Sequence, residues 1–316
     1  MALKKTVLVL GAGASVPYGF PVGRKLSEDL CRFSNGTDFT LAKLVSEKYG
    51  YPFADVNKLL RQFHQSGRSS IDAFLSCHEN LVSVGKFLIA HELCNKESAK
   101  NLRSPTIDDH WYEYLWNRLV EAVVQPNDLP LNYLKIITFN YDRSLEEYLF
   151  RAISNSFNQD YVYDTMRRLD ITHVYGCLGD HKTQLNGKHR LYEPTDDGVS
   201  LEVAASGIDI ISEARDDSTK FQKGRDWFNW AEQICFLGFG FDETNVQRLG
   251  LFDVIDTKKK AGLALPDVVF SAYERTEMEV LHIKRQLFKE HIQSVTARSY
   301  NANSTMTLRS SGLLLS

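Results

Sequence analysis

Thr6-Val7-Leu8-Val9-Leu10 is a run without polar alternation that passes directly into Gly11-Ala12-Gly13. Such a run, bounded by glycine, predicts a parallel strand buried on both faces. From about Val22 to Gln125 the apolar positions recur instead at helical spacing, through GRKLSEDLCRF, FADVNKLLRQFHQ, SSIDAFLSCHENLVSVGKFLIAHEL and DDHWYEYLWNRLVEAVV. This block predicts helices, with Ser70 as an N-cap and NKESAKNLRSP as the loop before the last of them. Strand patterns return in YLKIITFNYD, in ITHVYGCLGD and at Ile234 to Leu237, and PDVVFSAYERTEMEVLHIKRQLF adds a strand and a periodic helix. Strands alternating with helices predict an α/β fold, a Rossmann-like parallel sheet with a helical insertion after the first strand. Its ligand loops lie at the strands' carboxyl ends. The implied single domain has a core of residues 1–24 and 126–298, an insertion of 25–125 and a tail of 299–316, expected to move freely or to dock on a partner. The Asn-Gly pair in KTQLNGKHR predicts a hairpin between Lys182 and Arg190.

The 316 residues, 43% hydrophobic and 24% charged, suit a soluble globular protein with a sizeable core. A net charge of −3 and a pI near 6.3, with Lys and Arg dispersed, leave no basic footprint, so nucleic acid is not expected as the direct ligand. Cys31, Cys77, Cys94, Cys177 and Cys235 lie far apart without metal-clip spacing, which predicts reduced structural thiols and no zinc. No segment matches a signal peptide, and none approaches the ~20 apolar residues of a membrane span. The expected location is therefore cytoplasmic. Ser70 to Leu93 carries Phe74, Leu75, Leu81, Val82, Phe87, Leu88 and Ile89, more than one small face covers. That excess predicts a homo-oligomer unless the helix is buried within the monomer.

Gly11-Ala12-Gly13 begins as a dinucleotide-binding turn does, yet Val16 stands where the third glycine belongs. The acid expected about 20 residues on, to hold a ribose hydroxyl, falls in helical sequence around Asp29 to Phe33. Both failures argue against a redox fingerprint, and the turn alone reads equally well as an ordinary tight turn. Thr138-Phe139-Asn140-Tyr141-Asp142 ends a buried strand, which puts an amide and a carboxylate into the cleft. Its plainer reading makes Asn140 a turn residue and Asp142 the N-cap of a helix from Arg143 to Ile153. His173 alone reads as a satisfied core or rim histidine, and Gly238-Phe239-Gly240 with Asp242 as a strand-to-helix turn with its cap.

The order of these pieces is more informative than any one of them. A glycine turn, Gly19-Phe20-Pro21, a helical insertion containing SIDAFL, TFNYD, a strand running into Gly176, and Gly238-Phe239-Gly240 with Asp242 and Asn245 together resemble the sirtuin fold family. In particular the chain is similar to the prokaryotic sirtuin-like domain of antiphage defence proteins, from Val7 to about Phe288. The resemblance implies that Gly11, Ala12, Gly13 and Ser15 cradle the phosphates of NAD, with Pro21 and Thr138 in the same binding loops. Asn140 would position the attacking water near the nicotinamide ribose and Asp142 would hold that loop. Gly238, Gly240, Asp242 and Asn245 would face the adenosine side.

Protein-deacylating relatives carry an acid and an aromatic after Gly-x-Pro, where this chain reads Val22-Gly23-Arg24, and a four-cysteine zinc module that it lacks. Deacylation is therefore disfavoured. The family's catalytic histidine directly precedes a glycine; here Tyr175 precedes Gly176, and His173 lies two residues upstream, on the same face of an extended strand. His173 is then the nearest candidate base, and Tyr175 suits a hydrogen bond to a ribose hydroxyl. The implied activity is hydrolysis of NAD, as substrate, to ADP-ribose and nicotinamide by a defence effector that depletes the cofactor. Its trigger would come from a partner, either a translocase-type ATPase or an Argonaute-like protein. The alternative is a non-catalytic scaffold that binds NAD or ADP-ribose, motivated by Tyr175.

Overall fold

The computed structural model describes residues 4–32, 39–121, 123–157, 159–184, 187–213 and 219–313. β1 (Thr6–Leu10) is buried at every position and lies inside a six-stranded sheet with β2 (Leu134–Thr138), β3 (Asp170–His173), β4 (Gln233–Leu237), β5 (Asp267–Ser271) and β6 (Ala297–Tyr300). All pairings are parallel, in the order β3-β2-β1-β4-β5-β6. Alternate side chains feed opposite cores: Val7, Val9, Ile137, Phe236 and Phe270 pack on one face, Leu8, Leu10, Ile136, Leu237 and Val269 on the other. Helices cover both faces, which is why the central strands read as unbroken apolar runs. The strand order reverses between β1 and β4, so the crevice that such sheets offer a ligand opens at the carboxyl ends of these two strands.

Among the described residues, six α-helices lie between β1 and β2: α1 (Gly23–Leu30), α2 (Thr40–Tyr49), α3 (Phe53–Ser66), α4 (Ile71–Leu75), α5 (Val82–Cys94) and α6 (Trp111–Leu119). The segment read as one long helix is broken into α4, a 3₁₀ turn at Glu79–Leu81 and α5. Ser70 caps α4, its Oγ accepting the Ala73 N–H at 3.3 Å. Phe74, Leu75, Leu81, Phe87, Leu88 and Ile89 are all buried within this one chain. The apolar excess that suggested an oligomer is consumed by the monomer's own core, so these residues supply no surface for a second copy.

Beyond β2 come α7 (Ser144–Ser156), α8 (Val162–Arg167), α9 (Gly198–Ser206), α10 (Thr219–Trp230), α11 (Glu243–Leu249), α12 (Leu251–Lys260), α13 (Glu277–Phe288) and α14 (Ser304–Ser311). Residues 299–313 are not a loose tail. Ser299 and Tyr300 pair with β5, Leu308 and Leu313 are buried, and the Ser304 and Thr305 amides donate to the Asp109 carboxylate at 3.0 and 2.6 Å. Asn186 of the expected hairpin lies outside the described residues, and its flanks meet through an isolated bridge between Asp180 and His189 rather than through strands. No described helix is long and apolar enough to cross a membrane.

Candidate functional site

The turn after β1 is built backbone against backbone. The Gly11 N–H donates to the Leu237 carbonyl and the Gly13 N–H to the Gly238 carbonyl, each at 3.0 Å. The Ala14 and Ser15 amides fold back onto the carbonyls of Gly11 and Ala12. A Cβ on Gly11 would stand 2.6 Å from the Gly238 oxygen, and one on Gly238 would overlap the Ala14 nitrogen. Glycine is therefore required by the close approach of the β1 and β4 loops. Gly238 packs directly beneath the turn, its carbonyl accepting the Gly13 N–H. Three of the amides expected to meet phosphate, those of Gly11, Gly13 and Ser15, are already satisfied inside the fold. The turn continues as two 3₁₀ segments, Ala12–Ala14 and Val16–Tyr18, and α1 starts only at Gly23, so no α-helix N-terminus backs the turn as it does in a phosphate site. Gly238 has φ +56°, where a Cβ alone costs ~1–2 kcal/mol. Gly238→Ala should lower the unfolding free energy by roughly 2 kcal/mol or more, measured as an earlier denaturant midpoint at unchanged slope.

Above this floor, four expected site residues converge: Ser15, Thr138, Asn140 and Asp142. The Asn140 Nδ2 donates to the Gly11 carbonyl and to Ser15 Oγ, both at 2.9 Å. A carbonyl oxygen only accepts, so the orientation of the amide is settled: its NH₂ faces the glycine turn and its Oδ1 faces away. That oxygen has no hydrogen-bond partner among the described residues. Asn140 is half-buried, while Ser15, Thr138 and Asp142 are buried around it. Thr138 Oγ1 accepts the Asn140 N–H at 3.1 Å and fixes the start of the loop.

Asp142 is the common acceptor beneath. It takes the Ser144 N–H at 3.1 Å and the Ser144 hydroxyl, and burial holds its carboxyl above the ordinary range although Ser144 and the nearby Ser15 pull it down. Ser144 has spent its one proton on Asp142, so the Tyr112 hydroxyl, 2.6 Å away, must donate to Ser144. Tyr112 stacks on Tyr18 with centroids 3.6 Å apart, and Trp111 Nε1 donates to the Ala14 carbonyl at 2.8 Å. The start of α6 thus grips both loops that carry the site. Sequence reading did not find Tyr112 or Ser144.

The other expected residues form a separate cluster. β3 ends at His173, and the chain turns away through Gly176 at φ +75°, so His173 and Tyr175 do not share a strand face. The Tyr175 hydroxyl donates to Asn245 Oδ1 at 2.6 Å and accepts from Arg248 at 3.0 Å, while its ring meets Phe139 and Phe221. Burial pushes the phenol up. Asp242 caps α11 through the Asn245 N–H, and the Gly240 carbonyl accepts from Arg275. Pro21 is half-buried in the loop leading to α1. Phe241 and Glu274, at φ +55° and +56°, place left-handed non-glycine residues in the loops after β4 and β5, where strain accompanies ligand sites more often than elsewhere.

His173 has both ring nitrogens engaged, Nδ1 with the Asn140 carbonyl at 2.8 Å and Nε2 with Glu146 Oε1 at 2.6 Å. In this arrangement it offers no open nitrogen for use as a base. His173 also lines a cavity of about 450 Å³, together with Thr172, Gly176, Cys177 and Lys220 among others. The Cys177 thiol there is pushed up to about 12 by burial, which keeps it protonated and unreactive at neutral pH. No family model matches the chain, and no curated protein matches it.

Two further contacts tie the site to the rest of the chain. Tyr141 Oη donates to Asp72 Oδ1 at 2.6 Å, joining SIDAFL to TFNYD, and burial raises the Asp72 carboxyl. Arg143, fully buried, makes a bidentate pair with the equally buried Glu97, Nε to Oε1 at 3.0 Å and Nη2 to Oε2 at 2.8 Å. Its Nη1 also donates to the Arg190 carbonyl at 2.9 Å, and Arg190 itself pairs with Glu97. Among the described residues no three His, Cys, Asp or Glu side chains gather as a metal site.

Proposed function

We propose that the chain hydrolyses NAD at the bond between nicotinamide and ribose. The observation that supports this is the amide of Asn140, anchored through Nδ2 on the glycine turn at the reversal of the strand order, with its Oδ1 turned away from that turn and left without a partner among the described residues. Cleaving this bond expels neutral nicotinamide and develops positive charge on the ribose, as in glycoside hydrolysis. The reaction needs an oriented water and polar groups that favour the cation, and it needs no general acid. Asn140 Oδ1 accepts one O–H of the water and leaves a lone pair aimed at the anomeric carbon. The water oxygen bonds to that carbon, the carbon–nitrogen pair leaves with nicotinamide, and the released proton passes to solvent. The motif order shared with sirtuin-like domains of antiphage defence proteins supports NAD as the substrate. An activity of this kind has to be restrained in a living cell, and we place its trigger in a partner protein.

A second reading, a non-catalytic binder of NAD or ADP-ribose, is favoured by one observation: the Gly11, Gly13 and Ser15 amides and both nitrogens of His173 are taken up inside the fold. Chromatographic measurement of nicotinamide release from NAD, with and without candidate partners, separates the two. The hydrolase releases nicotinamide; the binder raises its melting temperature with NAD and releases none. In either case, NAD with alcohols or hydroxy acids should give no NADH absorbance, because the fingerprint lacks its third glycine and its ribose-binding acid. Substrate-dependent reduction would count against both readings.

A further inference from the structure

His173 closes the edge strand β3, and its ring is nine-tenths buried between two acceptors. The Asn140 carbonyl can only accept, so Nδ1 carries a proton. Nε2 faces the carboxylate of Glu146, the third residue of α7, which is buried to the same degree. A carbonyl on one side and a carboxylate on the other is the environment of an imidazolium. We propose that His173 works as a cationic clamp on the backbone of Asn140, with Glu146 as the positioning residue that keeps the clamp charged. The activity test of this idea rests on the hydrolysis proposed above; its spectroscopic test does not.

Burial resists the charge on His173, but Glu146 outweighs it and holds the ring above the usual histidine range. The same attraction, again against burial, holds Glu146 below the usual carboxylate range. Both partners are therefore charged between these two values. The clamp is fully present below the histidine's unfolded pKa and is lost as pH rises through the raised folded value. At the acid end it is lost as pH falls through the lowered value of Glu146. Neighbouring charges do not reverse this. Asp142 in the β2 loop favours the cation, and His181 in the loop after β3 favours ionised Glu146. Cys177 stays neutral. Lys220 of α10 lines the same cavity as His173 but is held by Asp209 at 2.8 Å, and Asp180 and Lys188 line that cavity with opposite charges.

The clamp and a general base predict opposite pH limbs. With a clamp, nicotinamide release falls as pH rises through the His173 titration. With a base, it rises. Glu146→Gln keeps the size of the side chain and a hydrogen bond to the ring while removing the charge. It should lower the NMR titration midpoint of His173, whose ring signals are assigned by their absence in His173→Gln, by roughly one pH unit or more. The falling limb of the rate should move down by the same interval, whereas a purely structural role would leave that limb where it was. A rate that rises through the titration overturns the clamp, as does a wild-type midpoint at or below that of an ordinary histidine. If wild-type protein releases no nicotinamide under any condition, the hydrolase reading fails, and the wild-type titration still decides the clamp without any variant.

Discussion

Asn140→Ala should lower nicotinamide release from NAD by roughly 100-fold or more, the loss typical of a group that positions a reactant or assists proton transfer. The fall should appear in kcat with little change in KM, because in the proposed reaction Oδ1 aims the water and does not hold the dinucleotide. Stability should change modestly, since the half-buried side chain leaves only the Gly11 carbonyl and Ser15 hydroxyl to be satisfied by water entering in its place. Asn140→Asp separates orientation from polarity. It keeps the shape and offers better acceptors, but it loses the NH₂ that anchors on Gly11 and sets a carboxylate against a carbonyl. Activity should be lost here too, although an acceptor remains, because the oxygen is no longer held in place. A fully active Asn140→Ala variant would place the reacting centre elsewhere, however well the fold is described.

How far the sequence foretold this site depends on the range of each contact. β1, β2, β4 and β5 were legible because a strand covered on both faces must be apolar throughout. β6 was not, since Ala297-Arg298-Ser299-Tyr300 lies at the sheet edge with all four residues half-buried, a pattern that looks like loop. α2 was not among the segments singled out, and it starts after Phe39 without a side-chain cap, as α1, α3, α5 and α6 also start without theirs. Ser15, Asn140 and Asp142 could be named because each stands in a short motif at a strand end. Tyr112 and Glu146 could not. Their partners are 32 and 27 residues away along the chain, and no local spacing encodes such a meeting. The pairing of His173 with Tyr175 failed for a definite reason: period-two alternation holds only while the strand lasts, and β3 stops at His173.

Glu97→Ala should destabilise the protein by about 3–5 kcal/mol, the cost of removing one partner from a buried ion pair. Glu97 and Arg143 are wholly inaccessible, and Arg190 adds a second guanidinium to the same carboxylate. Deleting the one anion leaves two buried cations facing each other. Arg143 keeps its carbonyl partners at Asp180, Arg190 and Leu191, but these are dipoles and do not neutralise it. Denaturant unfolding with matched slopes measures the loss. A change below about 1 kcal/mol would mean that water reaches the network, as it does at exposed pairs. Glu97→Gln should fall between the two, because it retains hydrogen bonding without the charge. Replacing Glu97, Arg143 and Arg190 together by apolar residues of similar volume should restore much of the loss, since the pair's attraction only offsets the cost of burying it. Arg143 directly follows Asp142, the acceptor beneath Asn140, so the triple variant also asks what the charges do beyond stability. If it folds stably and releases nicotinamide slowly, the network's role is to fix the TFNYD loop in register with the glycine turn.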